Sequence, residues 1–316
     1  MISMDHFLLA MNAIAPLFFS MAAGFLSQKA GILTRQDVPR FNKVAFQIFL
    51  PCLLFYNIYT SDLSAAIRPN LVLFAVIGVL AVFTASVLGV LRFVPRQDWR
   101  GVISQAIFRS NYVIMGIPIA QALVGSENLG PVAILVAIVI PMFNFLAVFV
   151  LESFRGGKAK LGTVILGILK NPLIISSILG ILCLAMKLRF PRLLEQAISS
   201  LGSVATPLQL FLLGAFFRFS GLRRYVRPLA AVTCIKLLIT PAVMLGAAAV
   251  LGFRDVEFVA LIGVFASPTA VNSFTMVQQM HCGDEELAGD IVVCTSAFSV
   301  LSLFLWIWGF KLLGMF

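Results

Sequence analysis

Two apolar stretches of this 316-residue chain are interrupted near their middles by polar residues, glycine and proline. The first reads Arg109-Ser110-Asn111-Tyr112, followed by Gly116-Ile117-Pro118. The second reads Ala266-Ser267-Pro268-Thr269-Ala270-Val271-Asn272-Ser273. Proline lacks a backbone donor and its ring pushes away the carbonyl of the preceding turn, so a helix carrying it frees carbonyl groups. The N-termini of the resulting half-helices present unpaired N–H groups and partial positive charge, which suits a carboxylate. Arg109, beside Asn111, adds a full charge and is the candidate counter-ion for an anion. The candidate binding set is Arg109, Asn111, Gly116 and Pro118 with Pro268, Thr269, Asn272 and Ser273. A kink used only for packing is the competing reading of either interruption taken alone.

The elements that must position these residues follow from composition. The chain is 60% hydrophobic and only 11% charged, with a mean hydropathy of +1.03. Soluble domains carry roughly 25% charged residues, so this surface belongs in lipid. Apolar runs fall at 7–28, 42–60, 70–93, 101–124, 129–151, 161–186, 193–217, 228–252, 256–280 and 287–313. Each is long enough to span a bilayer, for which about 20 residues suffice. Backbone in lipid must satisfy its own hydrogen bonds, so the runs are helices; the short alternating segments of a transmembrane barrel are absent.

The net charge of +10 would suggest nucleic acid in a soluble protein. Here Lys and Arg lie mostly between the runs, beside anionic headgroups, and no basic stripe with interleaved aromatics exists, so no nucleic-acid partner is expected. Loops after odd-numbered runs hold fourteen basic residues, from Lys29 to Arg227, and the remaining loops and termini hold six. The positive-inside rule then predicts both termini outside, in a multi-pass plasma-membrane protein. The acidic loop after the ninth run (Asp284, Glu285, Glu286, Asp290) counts little in that rule. The N-terminus lacks the basic region of a signal peptide, so the first run is expected to be an uncleaved helix. No N-glycosylation sequon occurs, which supports a bacterial inner membrane.

An internal repeat is visible. Pro16 and Pro51 recur as Pro172 and Pro207 at an offset of 156 residues, and GSENL at 125–129 recurs as GDEEL at 283–287 at an offset of 158. Five runs per copy is an odd number, so the second copy enters the membrane upside down, an arrangement that places binding sites at the repeat interface. The expected repeats are 1–157 and 158–316. They make the fourth and ninth runs equivalent, which favours a site over two packing kinks.

Ionisable residues inside runs are few. Arg109, Lys170 and Lys236 can snorkel toward an interface, and Lys236 precedes Pro241, whose kink frees carbonyls it can satisfy. All thirteen Asp and Glu residues fall in loops or at run ends, and His6 and His281 are also near ends. That argues against a midplane carboxylate relay. Proton coupling would use a peripheral acid or the cargo itself, and sodium coupling would use Asn, Ser, Thr and freed carbonyls. An embedded enzyme would need a Ser/His, Asp/Asp or metal-binding His set within the bilayer, which is missing; no cofactor or metal is expected. The five cysteines have no CxxC spacing and read as buried apolar groups.

The stretches RSNYVIMGIP, KNPLIISSILGI and SPTAVNSFTM followed by GDEELAGDIVVCTSAFS resemble the auxin efflux carrier family, whose bacterial members include permeases for malonate, malate and related organic acids. The resemblance implies an all-α polytopic membrane protein of ten helices in two inverted five-helix repeats, with broken, crossing helices 4 and 9. It also implies a scaffold domain of helices 1, 2, 6 and 7 and a transport domain of helices 3–5 and 8–10. On that basis Asn111, Gly116 and Pro118 match the crossover motif of the fourth helix, and Pro268, Thr269 and Asn272 that of the ninth. The loop at 152–160 is short, unlike the long hydrophilic loop of many plant relatives, which favours a small carboxylic acid over auxin. The expected function is a secondary transporter of a small organic anion, working by an elevator-like movement, with a homodimer formed through the scaffold. The alternative is a sodium-coupled symporter of the bile-acid type.

Overall fold

The computed structural model describes the chain outside residues 1, 35, 61–67, 126–128, 156–160 and 218–222, and outside the side chains of 2–14, 161, 163 and 164. The basic residues Arg35, Lys158, Lys160 and Arg218, the centre of the first repeat landmark and the 157/158 repeat boundary lie outside the described residues.

Thirteen helices account for the described chain: α1 (Ile2–Lys29), α2 (Asp37–Tyr59), α3 (Pro69–Phe93), α4 (Gln97–Phe108), α5 (Tyr112–Val124), α6 (Gly130–Ser153), α7 (Leu161–Leu169), α8 (Pro172–Ala185), α9 (Arg192–Phe216), α10 (Val226–Val250), α11 (Asp255–Ala266), α12 (Asn272–Met280) and α13 (Glu285–Leu312). Among the described residues, α2, α3, α6, α9, α10 and α13 are long and apolar enough to cross a membrane, and α5 and α8 are shorter apolar helices. Large apolar side chains such as Phe93, Leu88 and Val243 are exposed, as expected of a surface solvated by lipid.

The fourth and ninth runs are each divided, as expected, into α4/α5 and α11/α12. The sixth run is divided too, which was not anticipated: α7 stops at Leu169 and α8 starts at Pro172. Proline is preorganised for the first helical position, and Asn171 caps the new helix by accepting from the Leu173 N–H at 2.9 Å. Lys170 lies exposed at this joint, in keeping with a snorkelling role.

Proline acts differently elsewhere. Widened π turns precede Pro51, Pro118 and Pro241, at Ala45–Phe49, Tyr112–Gly116 and Ile235–Ile239. A wider turn accommodates the carbonyl that the proline ring would otherwise strike, so the helix continues with a bend. Pro207 lies inside α9, which runs on without interruption.

Helices α1, α2, α8 and α9 form one packed group, through α1 on α9, α2 on α8 and α2 on α9. Helices α3, α4, α6, α10, α11 and α13 form a second, with α11 at its centre and every side chain from Phe258 to Ala266 buried. At one end of this second group Asp284 caps α13, accepting from the Leu287 N–H at 3.0 Å, Trp99 Nε1 at 3.1 Å and the Tyr225 hydroxyl at 2.8 Å. Burial, and then the Asp284 carboxylate, hold the Tyr225 phenol above its ordinary pKa.

Candidate functional site

The unwound residues of the two interruptions lie side by side. Ser110 and Thr269 form an antiparallel bridge. The Asn111 N–H donates to Pro268 O at 2.8 Å and the Ala270 N–H to Arg109 O at 3.4 Å. Each break thus supplies partners for backbone groups that the other leaves exposed, which is how non-helical backbone is tolerated away from water.

Below this bridge α5 and α11 approach closely at Gly116 and Gly263. A Cβ added to either glycine would stand 3.0 Å from the other's Cα. Gly116 is therefore buried at a helix contact rather than on a cavity wall. Gly263, its partner, carries no motif that sequence inspection could single out.

A cavity of about 60 Å³ opens at the breaks, walled by Arg109, Ser110, Asn111 and Asn272 together with Asn144 of α6, Gln209 of α9 and Asn57 of α2. Arg109 is 2% exposed, and its Nη2 donates to Asn144 Oδ1 at 2.5 Å. The Nδ2 groups of Asn111 and Asn144 and the Oδ1 of Asn272 are buried and have no partner. Unpaired buried amides are costly, and three of them gather at this one cavity.

Of the expected site residues, the structure brings Arg109, Asn111 and Asn272 to this cavity. Thr269 stands behind it, donating from Oγ1 to Ala106 O at 2.9 Å and from its N–H to Thr295 Oγ1 at 3.3 Å. Ser273 is buried off the wall, its carbonyl accepting from Gln105 Nε2 at 3.2 Å. Pro268 is buried in the bridge and Pro118 is exposed on α5. A larger hollow of about 510 Å³ between α3, α4 and α10 has apolar walls and lies away from the breaks.

Three residues join the site that sequence inspection did not place there. Asn144 lies in an unremarkable apolar run. Gln209 lies two residues after Pro207, in a stretch with no polar cluster of its own. Lys236 does not snorkel: it is 1% exposed, and Nζ donates to Ser110 Oγ at 2.6 Å. Two carboxylates expected at run ends, Glu152 and Asp290, are nevertheless buried, and one oxygen of Asp290 has no partner.

A polar seam, buried from Gln209 to Gln278, leads from the cavity along α12 where it meets α9 and α2. Gln209 Nε2 donates to Thr275 Oγ1 at 3.0 Å, Thr275 Oγ1 to Asn42 Oδ1 at 3.1 Å, Asn42 Nδ2 to Gln278 Oε1 at 2.5 Å and Gln278 Nε2 to Glu285 Oε2 at 3.0 Å.

The family model described as "Membrane transport protein" matches residues 9–307 of the chain. A curated relative, described as an uncharacterized transporter of Methanothermobacter thermautotrophicus, is 24% identical over 295 residues, covering 90% of this chain and 92% of the relative.

Proposed function

The chain belongs to the auxin efflux carrier family of membrane transport proteins and is a multi-pass membrane transporter, and from that premise we propose that its cargo is a small organic anion, a mono- or dicarboxylate. The observation that carries this reading is the cavity wall at the paired breaks. There a guanidinium and the unpartnered amides of Asn111 and Asn144 converge. Arginine's fork and amide N–H groups are complementary to carboxylate oxygens, and the N-termini of α5 and α12, at Tyr112 and Asn272 on the cavity wall, add partial positive charge. Arg109, Asn111 and Asn272 are the contact residues. Gly116, Pro118, Pro268, Thr269 and Ser273 shape the two breaks around them.

The cavity of about 60 Å³ is far smaller than the roughly 300–1,000 Å³ of common ligand pockets. It favours a cargo of few atoms, and cargo entry requires one wall to move. The proposed movement is elevator-like: α3–α6 and α10–α13 travel as a transport domain against a scaffold of α1, α2, α7, α8 and α9. Ten spans in two inverted repeats, 1–157 and 158–316, give a crossover of the fourth and ninth spans near mid-membrane, with both termini outside a bacterial inner membrane. A homodimer through the scaffold would hold that half still.

Purified protein in liposomes should give saturable flux of a mono- or dicarboxylate, and Asn111→Ala should abolish it. Unchanged flux in that variant would defeat the site assignment. A thermal-shift panel of carboxylates identifies the cargo class, because a ligand that binds the folded state raises the unfolding midpoint by mass action.

A further inference from the structure

Helix α4 ends at Phe108 with Arg109 as its C-cap, and α11 ends at Ala266 with Ser267 as its C-cap. The Ser110–Thr269 bridge holds these two ends together. A helix C-terminus carries unpaired carbonyls and the equivalent of about half a negative charge. Two such ends in a dry interior make a place for a cation. Carriers built on broken helices use unwound carbonyls and half-helix C-termini to coordinate sodium there, and carbonyl and hydroxyl oxygens suit that ion.

In this chain the place is filled from within. Lys236 reaches in from the widened turn of α10 and donates to Ser110 Oγ at 2.6 Å. Ser110 Oγ in turn donates to Val264 O at 2.5 Å, one of the last carbonyls of α11. The hydroxyl relays the cation's field to the helix end, and an ammonium with three N–H donors is suited to a cluster of acceptors. Among the described residues no carboxylate pairs with Lys236. Nor does Lys236 wall the cavity, although Ser110 and Arg109 do. The two buried cations therefore have different tasks: Arg109 faces the cargo, and Lys236 sits behind the break.

We infer that the Lys236 ammonium is a tethered cation occupying the position where a sodium-coupled carrier of this design would bind its ion, so that this chain folds and works without sodium. The inference rests on the transporter reading above and makes Lys236 a positioning residue.

The test is thermal unfolding of the purified full-length chain in sodium chloride against choline chloride at equal ionic strength. Wild-type protein should show the same midpoint in both. Lys236→Ala should unfold several degrees lower, and methylammonium or sodium, but not choline, should restore its midpoint saturably. Lys236→Met, which fills the space without charge, should be lowered and not restored. A saturable sodium-dependent rise in the wild-type midpoint would overturn the inference, as would an Ala variant as stable as wild type or one that neither cation rescues. If the variants do not fold, the wild-type sodium titration still decides. This readout needs no cargo, so a failure to find carboxylate flux would sink the function proposal and leave this one standing.

Discussion

The two helix breaks solve one backbone problem in the same way and then diverge in chemistry. The 109–111 break gathers charge and open amide donors: Arg109 and Asn111 face the cavity, and Lys236 is held through Ser110. The 267–271 break carries no charge and is clamped into the protein, with Thr269 fixed to Ala106 of α4 and Thr295 of α13. The proposed site is thus uneven between its two arms: the first brings the charge and an open amide donor, while the second brings Asn272 to the cavity and otherwise serves as an anchor. The difference teaches that a shared motif marks where the backbone opens without saying which arm meets the cargo.

The largest test of this division is Asn111→Ala. If the first break is the binding arm, transport should fall at least tenfold while the unfolding midpoint stays near wild type, because the lost amide has no protein partner on Nδ2. Radiolabelled carboxylate uptake and differential scanning fluorimetry on the same preparation separate the two effects.

Next in size is Gly263→Val, which forces α11 away from Gly116. Overpacking a dense core costs about 1–3 kcal/mol, occasionally more, and both arms should be misplaced, so stability and transport fall together. Preserved transport would mean that the close approach of Gly263 to Gly116 is not needed to set the breaks.

Thr269→Val should lose stability first and transport second. It strips the Ala106 carbonyl of its side-chain donor, and a buried group left unsatisfied costs about 1–3 kcal/mol. If transport is lost with no change in the midpoint, Thr269 acts on the cargo rather than as an anchor, and the contrast collapses.

Ser267→Ala is the smallest. Its hydroxyl is buried with no partner, so the change should leave the midpoint within about 0.5 kcal/mol of wild type, and a slight gain is the favoured sign. A marked loss of uptake would show the hydroxyl to be a cargo contact.

The breaks were legible in the sequence because proline, glycine, asparagine and serine are conspicuous against an apolar background, and because the offset of other landmarks, Pro16 and Pro51 with Pro172 and Pro207, made their two runs equivalent. Lys236 and Asn144 were not. A single polar residue in an apolar helix has a known depth, but its direction depends on rotation about the helix axis, which neighbouring helices set. The proline at the head of α8 was read as part of a repeat, and only the Asn171 cap reveals it as a helix start. Gly263 was hidden for a different reason: close approach is a property of two helices, and only one of them carried a recognisable motif. The carboxylates Glu152 and Asp290 show that position near a run end does not fix exposure once other helices cover that end.

The seam from Gln209 through Thr275, Asn42 and Gln278 to Glu285 has a mechanical consequence. It joins α12 to α2 and α9 by hydrogen bonds between buried neutral groups, from Gln209 to Gln278, and ends on the half-buried carboxylate of Glu285 at the head of α13. A purely greasy contact would let one helix creep past another by any small step. Amides spaced along a helix pair well only at discrete offsets, so in the elevator-like movement proposed above this boundary would work as a detent, with preferred stops and poorly bonded intervals between them. Each neutral bond contributes only about 0.5–1.5 kcal/mol net, so the stops are shallow enough to be left by thermal motion and definite enough to be counted.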